Sequence, residues 1–363
     1  MIDRQHIKNI DWNLIVLVLA NCLLGLAFIY SSSRFLAVDY SLRQVFWIFT
    51  SLILMFVIIA IDYHTYTHYV GYLYIVFVLV LIGMLLFGGF IAGTKSWIKL
   101  SFFQIQPSEF MKILLILLLA KIFAKYEKKY LTFLKGLQSV FVVSVPFVLV
   151  ALQPDLGTAF NYLPIFLAAL FFAGLRLRIV ILLLVLCILL SVIIWNFGLQ
   201  DYQKQRVKTV LSPEKDPLGA GYHIIQSKIA IGSGGLSGKG FAKGTQSQLR
   251  FLPARHTDFI FSVIGEELGF LGVTGALLLY FLLLLRLFRS VEKTSDRTGA
   301  YIVFMVSVML ASQFFINVLM TIGFFPITGI PLPFLSYGGS SLLSNFIAIS
   351  LVINVKMRRF PYL

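Results

Sequence analysis

An all-α polytopic membrane protein is the fold class that this sequence predicts, and three observations predict it. The 363 residues are 59% hydrophobic and only 12% charged. Apolar runs long enough to cross ~30 Å of hydrocarbon recur along the chain. Those runs are continuous rather than alternating, which excludes a transmembrane β-barrel. The reading is a single transmembrane domain over 1–363, with no soluble domain at either end. Cys22 and Cys187 both lie inside apolar runs, so neither a disulfide framework nor a cysteine metal site follows.

Ten spans are expected, at roughly 12–30, 45–61, 69–88, 108–124, 137–152, 156–174, 178–197, 258–287, 300–323 and 341–355. The first starts at Trp12 and lacks a small-residue cleavage site, so it reads as an uncleaved span. The second ends near Asp62, His64 and His68, whose loose spacing resembles metal ligands but suits interfacial residues better. The fourth opens with Gln106-Pro-Ser-Glu-Phe-Met-Lys112, where Pro107 and Ser108 are helix-start residues. Glu109 and Lys112 are three apart and share a face, either as a self-neutralising pair or as the polar wall of a substrate groove. Gln153-Pro-Asp-Leu-Gly157 makes a tight turn, and Asp155 is placed to cap the sixth span.

Ten spans put both termini on one side, and the cations say which. With the N-terminus inside, the inner segments hold Arg4, Lys8, Lys125, Lys128, Lys129, Lys135, Arg176, Arg178, Arg286, Arg289, Lys293, Arg297, Lys356, Arg358 and Arg359. The short outer loops hold only Arg34, Arg43, Lys95 and Lys99, a positive-inside bias. Both termini are therefore expected in the cytoplasm, with 198–257 as a large extracytoplasmic loop between spans seven and eight. The formal charge of +15 then reads as topology and anionic lipid rather than nucleic acid.

The loop is itself basic, with Arg206, Lys239 and Arg255 among its cations, which suits an anionic substrate as well as a solvated surface. Tyr222 to Ile231 suggests a short interfacial helix with an isoleucine face. Gly232-Ser-Gly-Gly-Leu-Ser-Gly-Lys-Gly240 fails as a nucleotide P-loop, because Ser233 and Gly240 stand at required positions. It is left as an anion nest beside Lys239 or as a flexible linker.

The most chemical stretch is Leu252-Pro-Ala-Arg-His-Thr-Asp-Phe-Ile-Phe261. It places Asp258 where the basic loop runs into an apolar helix, beside Arg255, His256 and Thr257. A carboxylate at that border meets water and lipid head groups together, as work on a lipid-borne anionic substrate requires. A helix cap is the structural alternative for Asp258. Glu266 and Glu267 lie about two turns deeper, offset from Asp258 by roughly 80° and roughly 180°, so they cannot both line one groove with it and read mainly as structural. Gly323 to Ser341 is rich in Pro and Gly and uncharged, and reads as a re-entrant loop closing a cavity.

Together these segments resemble the SEDS family (shape, elongation, division and sporulation proteins). The match rests on Gly93-Thr-Lys-Ser-Trp97, Gln106-Pro-Ser-Glu109, Gln153-Pro-Asp-Leu-Gly157, His256-Thr-Asp-Phe-Ile-Phe261, Gly265-Glu-Glu-Leu-Gly269 and the block ending Ser336-Tyr-Gly-Gly-Ser340. Gly244-Thr-Gln-Ser-Gln-Leu249 ahead of Phe251-Leu-Pro253 resembles the rod-shape branch more than the division branch.

The resemblance implies a peptidoglycan glycosyltransferase that polymerises lipid II outside the bacterial plasma membrane during elongation. It implies a class B penicillin-binding protein as partner, and Asp258 as the family's essential aspartate. Ser336 and Tyr337 join the candidate substrate contacts through the same likeness. The family's usual Glu after Leu-Pro is Ala254 here, which argues against that Glu as the base. Asp258 is then the base, with Arg255, Lys239, Arg206 and Lys112 as candidates to meet the leaving pyrophosphate. No tightly bound cofactor is expected, and a divalent cation (Mg or Mn) is a candidate to share that charge. The rival readings are a lipid II flippase and a non-catalytic scaffold for the penicillin-binding protein.

Overall fold

The computed structural model describes residues 9–36, 38–89, 93–100, 103–125, 133–174, 204, 208–210, 212–216 and 219–358. Its helices are α1 (Trp12–Ser33), α2 (Tyr40–Ala60), α3 (Tyr63–Phe87), α4 (Pro107–Ala124), α5 (Phe133–Leu152), α6 (Leu156–Phe160) and α7 (Tyr162–Phe172). After them come α8 (Ala220–Ser233), α9 (Thr245–Gln248), α10 (Ile260–Val291), α11 (Arg297–Thr321) and α12 (Gly339–Met357). Seven described helices, α1, α2, α3, α5, α10, α11 and α12, are long and apolar enough to cross a membrane. Helix α4 carries Glu109, Lys112 and Lys121, and the expected sixth span is two pieces, α6 and α7, meeting at Asn161. The expected span 178–197 lies outside the described residues.

One feature departs from an all-helical expectation. Ile98–Leu100 (β1) and Phe103–Ile105 (β2) pair antiparallel, Ile98 opposite Ile105. Each segment is an apolar-polar-apolar triplet in sequence, too short to span and of period two.

Aspartates start several helices. Asp11, Asp39, Asp62 and Asp296 cap α1, α2, α3 and α11, accepting N–H bonds from the first turn. Asp155 caps α6 in the same way through the Thr158 N–H. Helix α12 packs along α2, α10 along α1, and α11 against α4 and α10. Large apolar side chains such as Phe49, Leu79, Phe87, Phe141 and Phe281 remain exposed on the outer faces. Water would penalise so continuous an apolar exterior and lipid does not. The chain is a multi-pass membrane protein.

The segment between α11 and α12 is non-helical yet buried, with Ile330, Leu332, Phe334 and Leu335 nearly inaccessible. The Leu335 backbone rests directly on Gly25 of α1, about 12 Å in from that helix's end at Ser33. Helix α12 then begins with Gly339 pressed on the Trp47 indole of α2. Irregular backbone survives at this depth because protein groups satisfy it. The Gln44 amide donates to the Ser336 carbonyl (3.3 Å) and the Asn317 amide to that of Ile330 (2.8 Å).

Candidate active site

Helix α10 starts at Ile260, and Phe259 at its N-cap makes no side-chain cap bond. Asp258 therefore stands one residue before the N-cap position. The turn before it bends at Ala254, whose φ of 45° lets its carbonyl accept the N–H of Thr257 (3.1 Å) and of Phe259 (3.2 Å).

The re-entrant segment and α11 hold the successive carbonyls of this turn. Tyr337 N–H donates to the His256 carbonyl (2.9 Å), the Ser336 hydroxyl to that of Thr257 (2.5 Å), and the Asn317 amide to that of Asp258 (3.0 Å). The half-exposed Asp258 carboxylate faces Gly329, where a Cβ would come within 3.8 Å of it. Asn317 was not singled out from sequence, although an amide within an apolar span was itself a signal.

The expected substrate contacts divide. His256 and Tyr337 are half-exposed beside Asp258. Ser336 is buried, with its hydroxyl also accepting the Leu332 N–H (2.9 Å), so it holds backbone. The Thr257 hydroxyl turns back to the Ala254 carbonyl (3.2 Å). Arg255 is buried and donates from Nε to the Ser32 carbonyl (2.6 Å). With Arg250, which donates to the Phe35 carbonyl, and Gln248, which donates to that of Ser31, it satisfies carbonyls at the C-terminus of α1. Burial, and then the neighbouring Arg250 charge, lower the Arg255 pKa from its usual value. Arg206 lies outside the described residues.

Lys239 pairs its ammonium with Glu266 (2.8 Å) and donates to Thr245 (2.7 Å), with 24% of its side chain exposed. The glycine run around it is neither nest nor loose linker. Helix α10 breaks at Gly269 (φ 64°, ψ −159°), about 13 Å below its start, and the loop repairs the break. Lys239 N–H and Gly240 N–H donate to the carbonyls of Glu266 (3.1 Å) and Glu267 (2.9 Å). Phe270 N–H and Leu271 N–H donate in return to the carbonyls of Gly235 (2.8 Å) and Leu236 (3.1 Å). Gly238, at φ +79°, lies so close to the Glu267 carbonyl that any side chain would collide. Glu266 also accepts the N–H of Gln246 (2.7 Å) and Ser247 (3.0 Å), and Glu267 accepts Ser31 (2.5 Å) and the Ala242 N–H (3.0 Å).

Glu109 and Lys112 pair at 2.7 Å, and both side chains are buried, at 4% and 1% exposure. Ser344 of α12 donates to the same Glu109 oxygen (3.1 Å). The expected wall of an outward-open groove is thus a closed, self-neutralised pair between α4 and α12, which removes most of the cost of two buried charges. One turn above it the sequence motifs converge. Gln106 donates to Asp155 (2.5 Å) and Thr158 (3.2 Å), and its N–H to Ser340 (3.0 Å). Gly157 in turn lies against the Thr328 carbonyl of the re-entrant segment. Among the described residues no three His, Cys, Asp or Glu side chains gather as a metal site.

The cell cycle protein family FtsW/RodA/SpoVE matches residues 11–360. The chain belongs to this family. It is 38% identical to the peptidoglycan glycosyltransferase MrdB of Escherichia coli over 98% of this chain and 95% of that one. It is 35% identical to the peptidoglycan glycosyltransferase RodA of Treponema pallidum, covering 98% and 99% of the two chains. A chain in a solved peptidoglycan synthase complex that coordinates polymerization and crosslinking superposes with a TM-score of 0.84, at 32% identity and over 97% of this chain and 99% of that one. The crystal structure of rod shape determining protein RodA from Thermus thermophilus gives 0.73 at 29% identity, over 97% and 98%.

Proposed function

We infer that this chain is a peptidoglycan glycosyltransferase that polymerises lipid II into glycan strands at the outer face of the bacterial plasma membrane during cell elongation. The observation that carries the reading is Asp258, half-exposed at the mouth of α10 on backbone held by α11 and the re-entrant segment. A base must sit still where a substrate enters, and the bonds that hold the carbonyls of His256, Thr257 and Asp258 support that reading. Its relatives carry the same activity in their names.

In the proposed step the acceptor sugar hydroxyl attacks the donor's anomeric carbon. The new C–O bond forms as the bond to the polyprenyl pyrophosphate breaks, the hydroxyl proton passes to Asp258, and the α-linked donor becomes a β-linked glycan. A divalent ion, if bound, would share the pyrophosphate charge, with Asp258 as the one carboxylate of this turn that could help to hold it. We assign the finer topology as ten spans in a single domain over 1–363, both termini cytoplasmic and 198–257 outside. Undecaprenyl-linked glycan and membrane lipid are the further ligands. The partner is a class B penicillin-binding protein that crosslinks the product, in keeping with the synthase complex that this fold matches.

The test is polymerisation of purified lipid II by the purified chain, with and without that partner. Glycan ladders that require this chain are expected. No product under either condition overturns the reading.

A further inference from the structure

We propose that Tyr40, His256 and Tyr337, with Arg43, form a saccharide subsite beside Asp258 that takes an N-acetylated hexose ring of the glycan substrate. The proposal rests on the glycosyltransferase reading and says where the sugar lies. The Tyr40 ring is 4.3 Å from the His256 ring at 31°, and 4.9 Å from the Tyr337 ring at 79°. The His256 and Tyr337 rings are 5.9 Å apart. These rings come from the first turn of α2, the Asp258 turn and the re-entrant segment, so only the folded chain makes the corner.

The corner is tied to the reacting carboxylate. Tyr337 N–H donates to the carbonyl of His256, two residues from Asp258. Tyr40, His256 and Tyr337 are half-buried rather than sealed in the core. Arg43 and Trp47 lie close enough to the Tyr337 hydroxyl to interact with it. Arg43 itself is exposed and keeps further donors for a sugar hydroxyl, an acetamide oxygen or a carboxylate.

The chemistry fits a sugar. A pyranose offers apolar C–H faces to aromatic rings and hydroxyls to their polar tips, and tyrosine presents both in one side chain. Burial and the neighbouring Arg255 push the His256 pKa down to about 4. At neutral pH its imidazole is uncharged, with one donor and one acceptor nitrogen, as a hydroxyl partner requires. An interfacial aromatic belt would turn its rings outward, as Tyr72 on α3 does at 72% exposure. Tyr40 instead turns onto the catalytic turn.

The experiment uses the purified chain with its partner and titrates lipid II for Tyr40→Leu, Tyr40→Phe, Arg43→Gln and Tyr72→Leu. Inhibition by undecaprenyl pyrophosphate, which carries no sugar, is the second readout. Tyr40→Leu should raise KM for lipid II about five-fold, with kcat nearly retained and inhibition by the sugar-free compound unmoved. Tyr40→Phe, which restores the ring, should recover most of that loss, and Tyr72→Leu should match the parent. Arg43→Gln alters only an exposed side chain, so it reads the subsite even where Tyr40→Leu misfolds, with KM raised about three-fold. An unchanged KM in the variants that fold, or a parallel loss of inhibition by undecaprenyl pyrophosphate, overturns the saccharide subsite. A parent chain that makes no glycan overturns the glycosyltransferase reading instead.

Discussion

The two ends of the helix bundle use charge in opposite ways. Where α1 begins and α12 ends, side chains meet side chains. Asp11 takes a bidentate bond from Arg286 (2.7 and 3.0 Å) and a further contact from Lys356. Beside it Asp62 pairs with Arg358 (3.2 Å), and Tyr63 donates to Asp296 (2.6 Å). At the opposite end charges mostly meet backbone. Arg250 and Arg255 hold carbonyls at the end of α1, while Glu266 and Glu267 gather loop N–H groups at the break in α10. Ion pairs lock helices to helices, whereas charge spent on backbone gives irregular loops a fixed shape. Asp258 sits among those shaped loops.

The contrast can be broken first at Asp258. Replacing it by Asn should cost polymerisation ~10²–10⁴-fold, while thermal stability and partner binding stay near those of the parent. Near-normal turnover by the folded variant would place the base elsewhere and make this end as structural as the other.

Glu266→Gln tests whether the loops are held by charge. It removes the Lys239 pair and turns an amide donor toward the N–H groups of Gln246 and Ser247. A loss of about 2–4 kcal/mol in unfolding free energy is expected. It is read as a lower Tm and faster proteolysis within 239–248. Unchanged proteolysis of that loop would show that the glycine backbone bonds suffice.

The smallest effect is expected at the ion-paired end. Asp11→Asn should cost about 1–3 kcal/mol at neutral pH, reduced by the partial exposure of Arg286, with kcat retained. Burial raises the Asp11 pKa, but hydrogen bonds and charge from Arg286 and Lys356 outweigh it and hold it below the usual carboxylate value. That stabilisation is therefore present above the ordinary carboxylate pKa and is lost as pH falls through the lower folded value. Melting curves of parent and variant should converge in acid. A large loss of kcat would mean that the two ends are coupled.

Much of this was legible in residues alone. Apolar runs placed the long helices, because hydrophobic length acts locally, and Asp155 was legible as the cap of α6. The Asp258 segment stood out as a carboxylate at a polar–apolar border, and the Pro- and Gly-rich block before α12 could only be irregular backbone. What a charge does was not legible, because that depends on what lies within ~3 Å of it. Lys239 and Arg255 read as candidates to meet a substrate, and the Glu109–Lys112 pair as either a salt bridge or a groove wall; tertiary packing gave each an internal partner. The glycines from Gly234 to Gly240 read as an anion nest or a linker until a broken helix turned out to need their backbone. The corner of Tyr40, His256 and Tyr337 joins residues nearly three hundred positions apart. Sequence fixes which groups exist and which segments enter the membrane, since those are properties of a residue and its neighbours. Only the fold decides which groups remain for chemistry, since partnering is a property of distance.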